Sequence, residues 1–132
     1  MEESGIIQKV DQPTEWVNSM VVVEKKNGSV RICLDPRELN KAIMREHHHI
    51  PTLEDIAFKF AGMKIFTILD MKHGYWHVPL DQESCLLTTF NTPFGRFCFR
   101  RLPFGINSAA EVFEKRVEEI FGISTSRYTL MI

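Results

Sequence analysis

Early in the chain, apolar and β-branched positions gather in two runs, Met20 to Lys26 (MVVVEKK) and Ser29 to Leu34 (SVRICL), on either side of Asn27-Gly28. An Asn-Gly pair readily takes the positive φ angles of a two-residue turn, so the pattern predicts a hairpin. Pro36 interrupts the second run, and the polar stretch from there to His49 reads as solvated loop with room for one helical turn. Thr52 followed by Asp55 gives a helix start, and Leu53, Ile56, Ala57 and Phe60 continue at helical spacing until Gly62. Lys64 to Leu69 (KIFTIL) is a short apolar, β-rich run that stops at Asp70. That pattern is expected of a buried central strand, with Asp70 at its C-terminal end.

Farther on, Gly74 to Leu80 (GYWHVPL) opens as a turn and carries two large aromatics. Leu86 to Phe90 and Arg96 to Leu102 then read as a second hairpin around Thr92-Pro93-Phe94-Gly95, with Phe97 and Phe99 on one face and Arg96, Cys98 and Arg100 on the other. Ser108 with Glu111 three residues on caps a last helix. Its stripe is Ala109, Val112, Phe113, Arg116, Val117, Ile120 and Phe121, all core-facing except a snorkelling Arg116. The order hairpin, helix, strand, hairpin, helix predicts an α+β fold with an antiparallel sheet and packed helices.

Composition fits one globular domain: 132 residues, 44% hydrophobic and 25% charged. With 16 basic against 17 acidic residues the chain as a whole has no basic signature, so any nucleic-acid surface is local. One such cluster is Lys25, Lys26 and Arg31 on the first hairpin, although edge strands also carry lysines simply to discourage pairing. Cys33, Cys85 and Cys98 are odd in number and lack C-x-x-C spacing, which argues against a disulfide framework or zinc site and fits a reducing, intracellular setting in cytoplasm or nucleus. His47-His48-His49 has no acidic or cysteine partner at ligand spacing, so a metal site there is not expected. No window approaches the roughly 18 apolar residues of a membrane span.

LDMKHGYWHVPLD, preceded by VVVEKKNGSVRICLDPRELNKAI and followed by TPFGRFCFRRLPFGINSAAEVFEK, closely resembles the reverse transcriptase of gypsy-class LTR retrotransposons. The blocks occur in family order from about Gly5 to Gly122. The resemblance implies the fingers and front palm of a right-hand polymerase over residues 1–122, followed by a non-matching tail at 123–132. It implies nucleotidyl transfer from a dNTP to a primer 3'-hydroxyl, with an RNA or DNA template–primer as partner.

By the same resemblance Asp70 is the catalytic carboxylate. It would bind Mg²⁺, two ions in the complete enzyme, with help from the Met71 backbone carbonyl, since this hard cation takes oxygen ligands. Read alone, an aspartate ending a strand is more often a cap or turn residue. Lys25 or Lys26, with Arg31, match fingers residues on the triphosphate, a role suited to the planar guanidinium fork. Tyr75 matches the aromatic that excludes a 2'-hydroxyl, and its alternative is a core aromatic. Phe104 matches the wall of the nucleotide pocket. Gly105 matches a close approach to the template, where a side chain would obstruct, and Arg37 matches a residue near the template. His73 and Trp76 receive no chemistry. Ala110 stands where relatives usually have proline, a change the first turn of a helix tolerates.

The family's Y-x-D-D or F-x-D-D turn, source of its other aspartates, has no counterpart in ISTSRYTLMI, which contains no acidic residue. One carboxylate is a poor cage for two divalent ions, so the chain alone is expected not to polymerise. The remaining palm, thumb, RNase H and integrase regions of a parent polyprotein are expected elsewhere. Alternatives are a non-catalytic nucleic-acid-binding remnant and a chain with no selected role.

Overall fold

The computed structural model describes residues 1–24, 28, 30–65 and 70–121. Strand β2 (Ser19–Glu24) pairs antiparallel with β3 (Val30–Asp35), from Ser19 opposite Asp35 to Glu24 opposite Val30. This is the hairpin expected from the valine run. Its register leaves an odd number of residues between Glu24 and Val30, whereas a two-residue turn at Asn27-Gly28 needs an even number; Lys25, Lys26 and Asn27 lie outside the described residues.

The other sheet is antiparallel, in the order β1 (Ile7–Lys9), β5 (Gly95–Phe99), β4 (Phe90–Thr92). Phe99 faces Phe90 and Leu34 in one apolar cluster. Cys98, on the opposite face, is equally buried, against Val10 and Cys85. That second face is covered by a helix in a segment expected to be strand: α1 is Arg37–Ala42, α2 is Leu53–Ala57, and α3 is Gln82–Leu87. Leu86 and Leu87 are therefore helical. The cause is Asp81, whose carboxylate accepts from the Ser84 N–H at 2.8 Å and the Ser84 hydroxyl at 2.9 Å, capping the first turn. Thr88 and Thr89 end the helix by donating their hydroxyls to the Cys85 and Leu86 carbonyls at 2.7 and 2.6 Å.

The start of α2 follows the sequence reading. Thr52 donates its N–H and its hydroxyl to Asp55, each at 2.8 Å, and the Asp55 N–H returns to the Thr52 hydroxyl at 3.3 Å. A 3₁₀ turn at Phe58–Phe60 follows, and Gly62 takes φ +80° where the helix was expected to stop. The strand expected over 64–69 falls largely outside the described residues.

Helix α4 (Ala109–Phe121) buries Ala109, Phe113 and Val117 against Val78 and Leu102. The stripe expected to be core-facing is incomplete, because Ile120 and Phe121 are exposed. Glu111 also departs from its capping role. Its carboxylate pairs with the Arg45 guanidinium and accepts the His47 N–H at 3.1 Å. The segment read as solvated loop is thus strapped along α4, with Lys115 paired to Glu46 and His48 Nε2 3.1 Å from Glu118.

Candidate nucleotide-binding cleft

A short left-handed step at His73, φ +58°, starts a 3₁₀ turn over Gly74–His77. The turn packs closely enough on α4 that a Cβ on Gly74 would lie 2.8 Å from the Phe113 ring. It is held by Trp76 N–H donating to His73 O at 2.9 Å and Val78 N–H to Tyr75 O at 3.1 Å. This fixes the residues that follow Asp70 beneath the β2–β3 hairpin. Opposite them, Leu34 N–H donates to the Phe104 carbonyl at 3.0 Å, which joins the Pro103-Phe104-Gly105 turn to the base of the hairpin.

Between these parts lies a cleft of about 470 Å³, into which Arg31 projects from β3, Asp70 and Lys72 from the connection, and Phe104 from the turn. The Arg31 guanidinium carbon sits 4.9 Å from the Phe104 ring centroid, a cation–π geometry that keeps the guanidinium at the wall of the cleft. His73 and Trp76, also in the lining, stack with centroids 4.7 Å apart and planes 14° apart. The cleft therefore combines cationic groups, one carboxylate and flat aromatic surface. Such a set can bind an anionic group bidentately at Arg31 while an aromatic plane packs on a ring or sugar.

Several residues singled out in the sequence meet here: Arg31, Asp70, Met71 and Phe104 all line the cleft. Tyr75 stands behind it, 4.8 Å from the Phe104 ring and edge-on to Phe113 at 5.4 Å, so it supports the wall from the core side. Arg37 lies away from the cleft, exposed on α1 and paired with Asp35 at 3.2 Å. Gly105 is also outside the lining. A Cβ there would fall 2.0 Å from the Leu34 carbonyl oxygen and 3.2 Å from Pro36, and φ is +111°. Glycine is thus required at this point by the chain's own backbone. Lys25 and Lys26 lie outside the described residues. Lys72, His73 and Trp76 had no assigned chemistry in the sequence; their only signal was their place between Asp70 and Val78.

Among the described residues no group of three or more His, Cys, Asp or Glu is arranged to hold a metal ion. Mg²⁺ prefers an octahedron of oxygens and commonly retains waters, so Asp70 with the Met71 carbonyl is at most part of a site. The described residues do not complete a two-ion cage.

A polymerase-type fingers and front palm, with this cleft between them, is the class that the fold defines. The chain belongs to the reverse transcriptase family: the model for "Reverse transcriptase (RNA-dependent DNA polymerase)" matches residues 23–131. The enzymatic polyprotein of Cauliflower mosaic virus (strain Strasbourg) is 34% identical over 100 residues, which cover 76% of this chain and 15% of the viral protein. An uncharacterized protein of Caenorhabditis elegans is 33% identical over 123 residues, 91% of this chain and 10% of the relative. Among solved structures, native prototype foamy virus protease-reverse transcriptase matches with a TM-score of 0.72 and 25% identity, over 92% of this chain and 16% of that one. A foamy viral protease-reverse transcriptase in complex with double-stranded DNA matches with a TM-score of 0.74 and 20% identity, over 92% of this chain and 21% of that one. The chain spans about 15% of the length of the viral relative first described.

Proposed function

We propose that the chain is the fingers and front palm of an RNA-directed DNA polymerase from an LTR retrotransposon of the gypsy class, part of a longer polyprotein. The observation that carries this reading is the meeting of Arg31, Asp70 and Phe104 in one cleft, within a chain of the reverse transcriptase family. In this reading Arg31 grips the triphosphate of a dNTP, Phe104 walls the pocket, and Tyr75 sets the room available at the sugar through its contact with Phe104. Lys25 or Lys26 adds charge at the triphosphate, while Arg37 and Gly105 belong to the template side. Mg²⁺ is the implied cofactor and would supply charge neutralisation for phosphoryl transfer. Asp70 and the Met71 carbonyl are this chain's contribution to holding it. Since one carboxylate is a small part of that cage, the 132 residues by themselves are expected not to extend a primer.

The direct test joins this chain to the Y-x-D-D palm and thumb of a related polymerase and measures Mg²⁺-dependent primer extension. Extension that Asp70→Asn abolishes is the expected result; extension surviving that change would refute the role of Asp70. A second reading, a non-catalytic nucleic-acid binder, draws on the exposed Arg31 of the hairpin and the Phe104 ring of the RRLPFG segment beside it. It requires salt-sensitive affinity of the chain for RNA–DNA hybrid, reduced by replacing Lys25, Lys26 and Arg31 with alanine. Absence of binding at low salt would eliminate it.

A further inference from the structure

Asn40, half-buried near the end of α1, has no part in the cleft lining, yet its side chain makes two long-range hydrogen bonds to one turn. Nδ2 donates to the Gly105 carbonyl at 2.9 Å, and Oδ1 accepts the Asn107 N–H at 3.0 Å. An amide is the side chain that offers a donor and an acceptor on neighbouring atoms, so the two partners fix its orientation. The same turn is held from the other side by Leu34 N–H on the Phe104 carbonyl at 3.0 Å. The Leu34 carbonyl lies so close to Gly105 that no other residue fits. The Phe104 ring that this turn carries has the Arg31 guanidinium at 4.9 Å and the Tyr75 ring at 4.8 Å.

We infer that Asn40 is a positioning residue, whose paired hydrogen bonds to Gly105 and Asn107 hold the Phe104 ring in the cleft wall against Arg31 and Tyr75. It ties α1 to the turn that begins at Pro103, and it acts on a ligand only through Phe104. The placement of the ring is a property of the free protein; its effect on nucleotide affinity rests on the function proposed above.

The test uses the full chain with isotope-labelled phenylalanine and tyrosine. In Asn40→Ala, nuclear Overhauser contacts between the Phe104 and Tyr75 rings are expected to weaken strongly, while amide shifts of the β1–β5–β4 sheet stay unchanged. Retained ring contacts would overturn the inference. Asn40→Asp, which keeps the acceptor for Asn107 and loses the donor for Gly105, is expected to show an intermediate loss. It provides the same reading should the alanine variant not fold. Titration with 2'-deoxythymidine triphosphate adds the functional readout. Asn40→Ala should weaken binding about tenfold, the scale of two lost hydrogen bonds, and should have no further effect in a Phe104→Ala background. An equal loss in both backgrounds would contradict action through Phe104. Wild-type chain that does not bind the nucleotide would sink the proposed function and leave the ring-contact test standing.

Discussion

An alanine at position 105 would bring its Cβ within 2.0 Å of a backbone oxygen at a φ of +111°. Neither Leu34 nor the turn can yield without breaking the bond that joins them, so Gly105→Ala is expected to cost on the order of 3–5 kcal/mol in denaturant unfolding. The glycine was legible in LPFG, where the resemblance set it beside a template, and the structure adds a requirement from within the chain, the carbonyl of Leu34. Thr88 is a second such residue. Its buried hydroxyl donates to Cys85 O at 2.7 Å and accepts the Phe99 N–H at 3.0 Å, joining α3 to the central strand. Thr88→Val leaves that N–H unpaired in the interior and should destabilise the chain by about 1–3 kcal/mol.

Elements were legible where local chemistry agreed with the apolar pattern. The valine run and the Thr52–Asp55 pair gave β2, β3 and the start of α2 because both signals act within a few residues. Helix α3 was missed because Leu86, Leu87 and the β-branched Thr88 and Thr89 resemble a strand, while Asp81 and Ser84 carried the capping signal. The strap over α4 was missed for a different reason: its pairs, Arg45 with Glu111 and Lys115 with Glu46, join residues far apart in sequence. Along that helix, burial and then Glu118 push the Glu114 carboxyl above its usual range, with His48 opposing. A carboxyl raised on folding binds more protons in the native state, so its ionised form opposes stability until pH falls through the raised value. Glu114→Gln is therefore expected to raise the Tm at pH 7, with the gain disappearing in acid. An unchanged Tm at pH 7 would contradict the burial of that carboxyl.

For the whole molecule the larger set of carboxylates points the other way. The Ser84 N–H and hydroxyl hold Asp81 below its usual range, the Thr52 N–H and hydroxyl do the same for Asp55, and Arg45 does so for Glu111. Groups lowered on folding stabilise the native state fully above the ordinary carboxylate pKa of about 4, and that contribution is lost as pH falls through the lowered values. Tm should fall on acidification below about pH 4, and Asp81→Asn should flatten part of that dependence.

At the same scale, the right-hand polymerase fold could be read from the order of blocks, because each is a local motif. The resemblance also assigned Arg31, Asp70 and Phe104 to one nucleotide site, whereas the apolar pattern alone could not, since they come from separate elements that only packing brings together. The central claim is that this cleft receives a nucleotide. Its most direct test is titration of the isotope-labelled chain with 2'-deoxythymidine triphosphate in the presence of Mg²⁺. Shifts concentrated on Arg31, Asp70, His73, Trp76 and Phe104, and lost in Arg31→Ala, are the predicted result. Shifts confined to other surfaces, or unchanged by Arg31→Ala, would contradict it.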